Sequence, residues 1–515
     1  MSLATMISRI LGVAREMVMA RYFGAGLAAD AFNVAYRIPN LFRDLFAEGA
    51  LSSAFVPTFI REMTRHGKAR AWLLASMVIN MLLVLLGGLT LLFYFGARWF
   101  VYLLASGFAE IPNKFDLTAQ MTQIMSPFLL CVALAAATMG LLNACGSFFV
   151  PALAPSVFNV ACILAAVLLS PYMEAFGLNP VVSMAIGAAL GGALQFLVQI
   201  PSAHAAGFRF RFVLDISDPG MRQIVKLMLP AVLGLAAMQI NVTVDSQIAS
   251  RFGNGPVSWL NYAFRLMQLP IGLFGVAIAT ATLASVSHHA AQGALLKLKG
   301  TIASSLRLAA CLTFPSTVGL IIFRKEIIRL LYERGEFLPA DTVETSRVLL
   351  LYALALFAYS AVKILVPTFY ALEDTRTPVR ASLITVVFKV ALNFILIMPL
   401  GYLGLALSTA MASWMNFGML LRQLLKRTDG KIDRFELRVY GKIGLSAGLM
   451  GCLAWVTFQA GASLWPTPGF WSLAARLGAA IIVGAASTLI FLRLFGVHEA
   501  RELTALLTRR IRRAA

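Results

Sequence analysis

Residues 2–22 read SLATMISRILGVAREMVMARY and residues 28–48 read AADAFNVAYRIPNLFRDLFAE. Each stretch has the length of a bilayer span, about 20 residues. Yet Arg9, Arg15, Glu16 and Arg21 interrupt the first, and Asp30, Arg37, Arg43, Asp44 and Glu48 interrupt the second. A charge at bilayer depth costs roughly 2.5–3.5 kcal/mol and persists where it faces a protein interior or a water-filled cavity. The cluster is mainly cationic, which points to an anionic cargo. At about 100° per residue, Arg9 and Glu16 share a face of the first span. Asp30, Arg37, Asp44 and Glu48 fall near one face of the second, as the wall of a wet cavity would. Arg21, at the end of its span, reads as a snorkelling boundary residue.

The rest of the chain agrees with a membrane setting. It has 515 residues, 59% hydrophobic and 13% charged, against about 25% charged in soluble domains. Breaking it at charges, Pro and Gly gives about fourteen apolar spans, all helical. The formal net charge is +20. It divides between short loops and the spans themselves, with no soluble basic domain, so nucleic acid is excluded as a partner. Loop lysines and arginines, such as Arg65, Lys68, Arg70, Arg209, Arg211, Lys426 and Arg427, place both termini in the cytoplasm. The tail from Glu499 to Arg513 reads as a basic helix on the inner membrane surface.

The chain also repeats itself. Phe23-Gly24-Ala25-Gly26 and Ala35-Tyr36-Arg37-Ile38 match Phe252-Gly253-Asn254-Gly255 and Ala263-Phe264-Arg265-Leu266. Asn143-Ala144 with Pro151 matches Tyr370-Ala371 with Pro378. Both matches have an offset of roughly 228 residues, about six spans, which makes the repeats parallel. The expected fold is an all-α polytopic membrane protein of about fourteen transmembrane helices. Two six-helix lobes, 1–215 and 216–428, would be related by a pseudo-two-fold along the membrane normal, and 429–515 would add two C-terminal helices and the basic tail. Arg265 occupies the repeat position of Arg37 and would face the first lobe from the second. The Gly-x-Gly pairs read as turns between spans, because no βαβ unit surrounds them.

Other candidates are sparser. Asp245 is a lone carboxylate in its span, with Asn241, Thr243 and Gln247 near enough to share its solvation. Asp374 precedes Thr375-Arg376-Thr377-Pro378. A buried Asp of this kind holds Na⁺ or a proton, or simply caps a turn. Lys363 and Lys389 interrupt apolar runs and either face a cavity or snorkel. The five cysteines form no CxxC pair, and His288-His289 reads as a loop pair rather than a metal site. There is no Walker A and no Gly-x-Ser-x-Gly, so nothing marks an enzyme.

Met6-Ile7-Ser8-Arg9-Ile10-Leu11-Gly12-Val13-Ala14-Arg15-Glu16 resembles the start of the MurJ (MviN) family, as do Asp30-Ala31-Phe32, Pro39-Asn40-Leu41-Phe42-Arg43 and Phe46-Ala47-Glu48-Gly49-Ala50. Ser258-Trp259 to Pro270 and Asp374-Thr375-Arg376-Thr377-Pro378 extend the resemblance over nearly the whole chain. It implies the fold of the multidrug/oligosaccharidyl-lipid/polysaccharide exporter superfamily. It also implies a flippase, not an enzyme, for lipid II in the bacterial inner membrane during peptidoglycan synthesis. The family's cavity arginines fall on Arg9, Arg15, Arg43 and Arg265, and its acidic positions on Glu16, Asp30 and Glu48. Its sodium-site aspartates fall on Asp245 and Asp374, so Na⁺ or H⁺ is the coupling ion implied, with no other cofactor. Lipid II and membrane lipids are the implied partners of a monomer that works beside the cell-wall synthesis machinery. The alternative is a cation-coupled multidrug exporter, or an exporter of another polyprenyl-diphosphate oligosaccharide, of the same fold. Cationic drugs would call for an acidic cavity rather than this arginine-rich one.

Overall fold

A computed structural model describes residues 2–43, 51–427, 434–465 and 469–500. Among these residues there is no strand. The first ten helices are α1 (Ser2–Phe23), α2 (Leu27–Arg43), α3 (Ser52–His66), α4 (Lys68–Phe95), α5 (Ala97–Ala105), α6 (Lys114–Ala144), α7 (Phe149–Met173), α8 (Val182–Leu197), α9 (Ile200–Ala205) and α10 (Pro219–Ala249). The next ten are α11 (Pro256–Pro270), α12 (Val276–Ala291), α13 (Leu295–Ile322), α14 (Arg324–Leu331), α15 (Pro339–Ala353), α16 (Leu356–Ala371), α17 (Arg376–Leu400), α18 (Leu403–Arg427), α19 (Arg434–Leu464) and α20 (Phe470–Leu494).

Ten helical runs among the described residues are long and apolar enough to cross a membrane, and α15 with α16, bent by 44°, makes an eleventh. Further helices, α1, α2, α3 and α10 among them, lie outside that set. α1 falls outside the apolar set because Arg9, Arg15 and Glu16 enter every stretch of 18 residues within it. The chain is thus a multi-pass membrane protein.

The helices form two compact units. The first comprises Met1–Ser258 with Tyr332–Leu338, and the second Trp259–Leu331 with Pro339–Ala515. In the first, α10 starts where Asp218 accepts hydrogen bonds from the amides of Gly220 (2.9 Å) and Met221 (3.1 Å). Such a cap is worth about 1 kcal/mol. The other Asp218 oxygen pairs with Arg70, which ties the start of α4 to the start of α10. α7 and α8 pack closely through Gly187-x-x-x-Gly191. A Cβ on Gly191 would lie 2.9 Å from the Phe158 ring, so this glycine fixes where that ring stands.

In the second unit, Leu306 and Cys311 of α13, Leu420 of α18, Ile443 of α19 and Leu492 of α20 share one core. Val497 and Ala500, which follow α20, turn back into that core. Beside it Arg307 donates from Nε to Glu499 and from Nη1 to Glu436, each at 2.5 Å.

Candidate functional site

α1 packs on α7, and this brings Arg15 against Phe158. The Arg15 guanidinium carbon lies 5.4 Å from the Phe158 centroid and 5.9 Å from that of Tyr36. Tyr36 stacks in turn on Phe32 and packs against Phe128. The arginine therefore stands on an aromatic platform built from α2, α6 and α7. Cation–π contact of this kind holds a guanidinium without consuming its hydrogen-bond donors. One donor, Nη2, reaches Glu16 Oε1 at 2.6 Å. Both side chains keep some exposure, 11% and 15%.

Arg9 is exposed on α1 beside Met6 and Ile10, and Arg43 is half-buried at the end of α2. Arg37 donates to Ser246 Oγ of α10. Arg265 is exposed on α11, while Tyr262, Ala263, Leu266 and Met267 around it are buried. Arg9, Arg15 and Arg43 belong to the first unit and Arg265 to the second. Glu48, Asp44 and the basic tail beyond residue 500 lie outside the described residues.

Asp30 is not on a wet wall. Its carboxylate is fully buried, and Lys114, equally buried, pairs with it at 2.8 Å. Oδ2 also accepts from the Gly255 amide (2.7 Å), and Oδ1 accepts from the amide (2.8 Å) and hydroxyl (2.7 Å) of Ser258. Lys114 spends its remaining donors on the Gly253 carbonyl and Asn254 Oδ1, both at 3.0 Å. Its ammonium also lies 4.1 Å from the Phe108 centroid. Every donor of the lysine and both oxygens of the aspartate are satisfied. That is the condition under which a buried pair is tolerated. The node joins α2, the start of α6 and the turn before α11. Lys114 went unnoticed in the sequence because it stands at the mouth of a span, where a lysine usually snorkels.

Asp245 is half-buried on α10. Its expected helpers are partly committed elsewhere. Gln247 exchanges hydrogen bonds with Ser106, and Thr243 donates to the Gln239 carbonyl. Asn241 Oδ1, one turn before Asp245, is a buried acceptor with no donor among the described residues. Asp374 is a helix-start residue. It accepts from the Thr377 amide (3.0 Å) and hydroxyl (2.5 Å), and Arg427 pairs with it at 2.6 Å. Lys389 is buried in α17 near Asn393, which takes a hydrogen bond from Ser408, while Lys363 is exposed. Among the described residues no three His, Cys, Asp or Glu side chains are grouped to hold a metal.

The Asp374 loop carries a pH prediction. The Thr377 hydroxyl, then its amide, and Arg427 hold this carboxyl below its ordinary 3.8, against the opposite push of burial. Its stabilising contribution is therefore complete above that value and fades as pH falls through the lower, folded-state value. The melting-temperature gap between wild type and Asp374→Asn should be widest well above pH 3.8 and narrow as the pH falls below it. A gap that stays constant as the pH falls would remove the assignment.

Known proteins resemble this chain over most of its length. The family model described as lipid II flippase MurJ matches residues 19–470. A probable lipid II flippase MurJ of Vibrio cholerae is 36% identical over 507 residues, covering 96% of this chain and 95% of its own. The lipid II flippase MurJ of Burkholderia cenocepacia is 34% identical over 455 residues, 87% of each chain. A solved structure of lipid II flippase MurJ in an inward closed conformation superposes with a TM-score of 0.80 at 29% identity, covering 96% of this chain and 98% of that one. An inward-facing MATE-family multidrug transporter of the MOP superfamily shares the fold at a TM-score of 0.68 and 14% identity, over 82% of this chain and 94% of that one. With its helical membrane fold, its arginine-bearing first helices and these matches over most of its length, the chain belongs to the lipid II flippase MurJ family, a family of transporters rather than enzymes.

Proposed function

We propose that this protein carries lipid II, the undecaprenyl-diphosphate-linked precursor of peptidoglycan, from the cytoplasmic to the outer leaflet of the bacterial inner membrane. The observation that carries the reading is the accessibility of arginines on membrane helices. Arg9 and Arg265 are exposed, and Arg15 is held on aromatic rings with donors to spare. A guanidinium gives a diphosphate two parallel, charge-assisted hydrogen bonds, which an ammonium does not. Arg9, Arg15, Arg43 and Arg265 are the proposed diphosphate contacts, with Glu16 and Glu48 as the acidic groups that hold or release them. The cargo's sugar and phosphates would cross by alternating exposure while the polyprenyl tail stays in lipid. Both termini are proposed to be cytoplasmic.

Asp245 with Asn241 is the proposed place for a coupling Na⁺ or proton. The orphaned Asn241 oxygen and a carboxylate one turn away are the hard oxygen donors such a cation takes. Bound there, the cation would neutralise a carboxylate inside the membrane. Asp374 fits this role less well, since hydrogen donors already engage both its oxygens. A monomer working beside cell-wall synthesis enzymes completes the proposal.

The test is purified protein in sealed vesicles loaded with lipid II, followed by capture of the lipid that reaches the opposite leaflet. Transfer above protein-free vesicles is expected. No transfer, with the protein correctly inserted, overturns the reading.

A further inference from the structure

The internal repeat has a physical counterpart that the transport reading does not use. Asp30 is bonded to Ser258, which follows it by 228 positions, the offset of the repeat itself. Positions related by a two-fold touch each other only near its axis. The same offset carries Gly107 onto Gly335, and it carries Arg21 to the neighbour of Ser250.

Those residues meet in two matching contacts. Gly107 lies in the 3-10 turn Ser106–Glu110 after α5. Its amide donates to Ser250 Oγ at 3.2 Å, and a Cβ there would stand 2.6 Å from the Ser250 carbonyl oxygen. Beside it, Ser106 and Gln247 exchange two hydrogen bonds of 2.8 Å. Gly335 lies in the segment Tyr332–Leu338, which belongs to the first unit. A Cβ on Gly335 would stand 2.2 Å from the Arg21 carbonyl oxygen, and the Glu336 amide donates to that oxygen at 3.0 Å. The contact is reciprocal, because a Cβ on Gly24 would stand 2.4 Å from the Glu336 carbonyl oxygen. Gly24 and Gly335 both have left-handed φ, +64° and +58°. Each seat also buries an aromatic ring, Phe108 in one and Phe337 in the other. Thus each repeat sends a loop onto the end of an early helix of the other repeat, and both contacts lie within the first unit.

We propose that residues 106–110 and 332–338 are a paired clasp, related by the repeat, whose two halves must release together for this end of the protein to open. The proposal rests on the alternating-exposure reading. The chemistry suits a releasable contact, since hydrogen bonds to backbone and glycine seats demand a close fit while few large rings are buried, Phe108 in one half and Tyr332 with Phe337 in the other. Burial, and then the like charge of Arg21, also pull Arg334 below its ordinary value.

Two experiments test it. Trypsin cuts after Arg334, inside one clasp half. The substitution Gly107→Ala, in the other half, should speed that cut by about tenfold, as should Gly24→Ala, at roughly 1.4 kcal/mol per tenfold. Gln247→Ala, a milder change, should speed it by about threefold on the same scale. If Gly24→Ala accelerates the cut while Gly107→Ala and Gln247→Ala leave it at the wild-type rate, the halves are independent and the proposal is overturned. In a cysteine-free background, the pair Arg21→Cys and Glu336→Cys should lose lipid II transfer when oxidised and regain it when reduced. Normal transfer by the oxidised protein would also overturn it. Proteolysis needs no cargo, so failure of the flippase reading alone would leave the first result standing.

Discussion

Lys114→Met should destabilise the protein by about 3–5 kcal/mol, the cost of leaving one member of a buried pair without its partner. The Asp30 carboxylate would keep its bonds from Gly255 and Ser258 but lose its countercharge in a site with no access to water. The Gly253 carbonyl and Asn254 Oδ1 would lose their donor as well. Methionine fills nearly the same volume, so packing changes little and the loss reports charge. Adding Asp30→Asn should restore most of the stability, because a neutral amide is cheaper to bury than an unpaired carboxylate. Thermal unfolding of the purified protein in detergent reads both variants. A Lys114→Met protein melting with the wild type, or a double variant no better than the single one, would show that the pair is not what holds this node.

Arg15→Ala should slow lipid II transfer by about 10- to 100-fold, since a hydrogen bond to a charged group is worth about 1.5–3 kcal/mol and 1.4 kcal/mol is a factor of ten. Arg265→Ala should act similarly from the second unit. The platform of Phe158 and Tyr36 remains when the guanidinium is gone, so folding should be preserved and melting should change little. Arg15→Lys should recover only part of the rate, because an ammonium lacks the planar pair of donors. Glu16→Gln isolates the neighbouring carboxylate, and a faster capture step is expected once Arg15 Nη2 is released. Normal transfer by both alanine variants at normal protein levels would remove the arginines from the site.

Charge inside apolar stretches made the membrane setting and the first-helix arginines legible, because bilayer energetics act on any residue regardless of its tertiary neighbours. The repeat was legible for the same reason that it matters, since Arg37 and Arg265 stand in equivalent helices. What could not be read was pairing at a distance. Asp30 and Lys114 are 84 positions apart, and no periodicity says that a lysine in the first turn of α6 faces inward. The stripe from Asp30 to Arg37 looked like one wall, yet Asp30 is sealed while Arg37 reaches α10. The Gly-x-Gly turns were recognised as turns. Their use as seats for loops of the other repeat depends on contacts that only the folded chain displays.

The Arg307 bridge to Glu436 and Glu499 has a practical consequence for anyone engineering this protein. Since Val497, Glu499 and Ala500 are all buried, the chain is still part of the second unit for several residues after α20 has ended. A purification tag or fluorescent fusion joined just beyond Ala500 leaves that bridge intact. One joined at Leu494 would strip Arg307 of a carboxylate and open the core beside Cys311, so the useful cut site is set by an ion pair rather than by the end of the last helix.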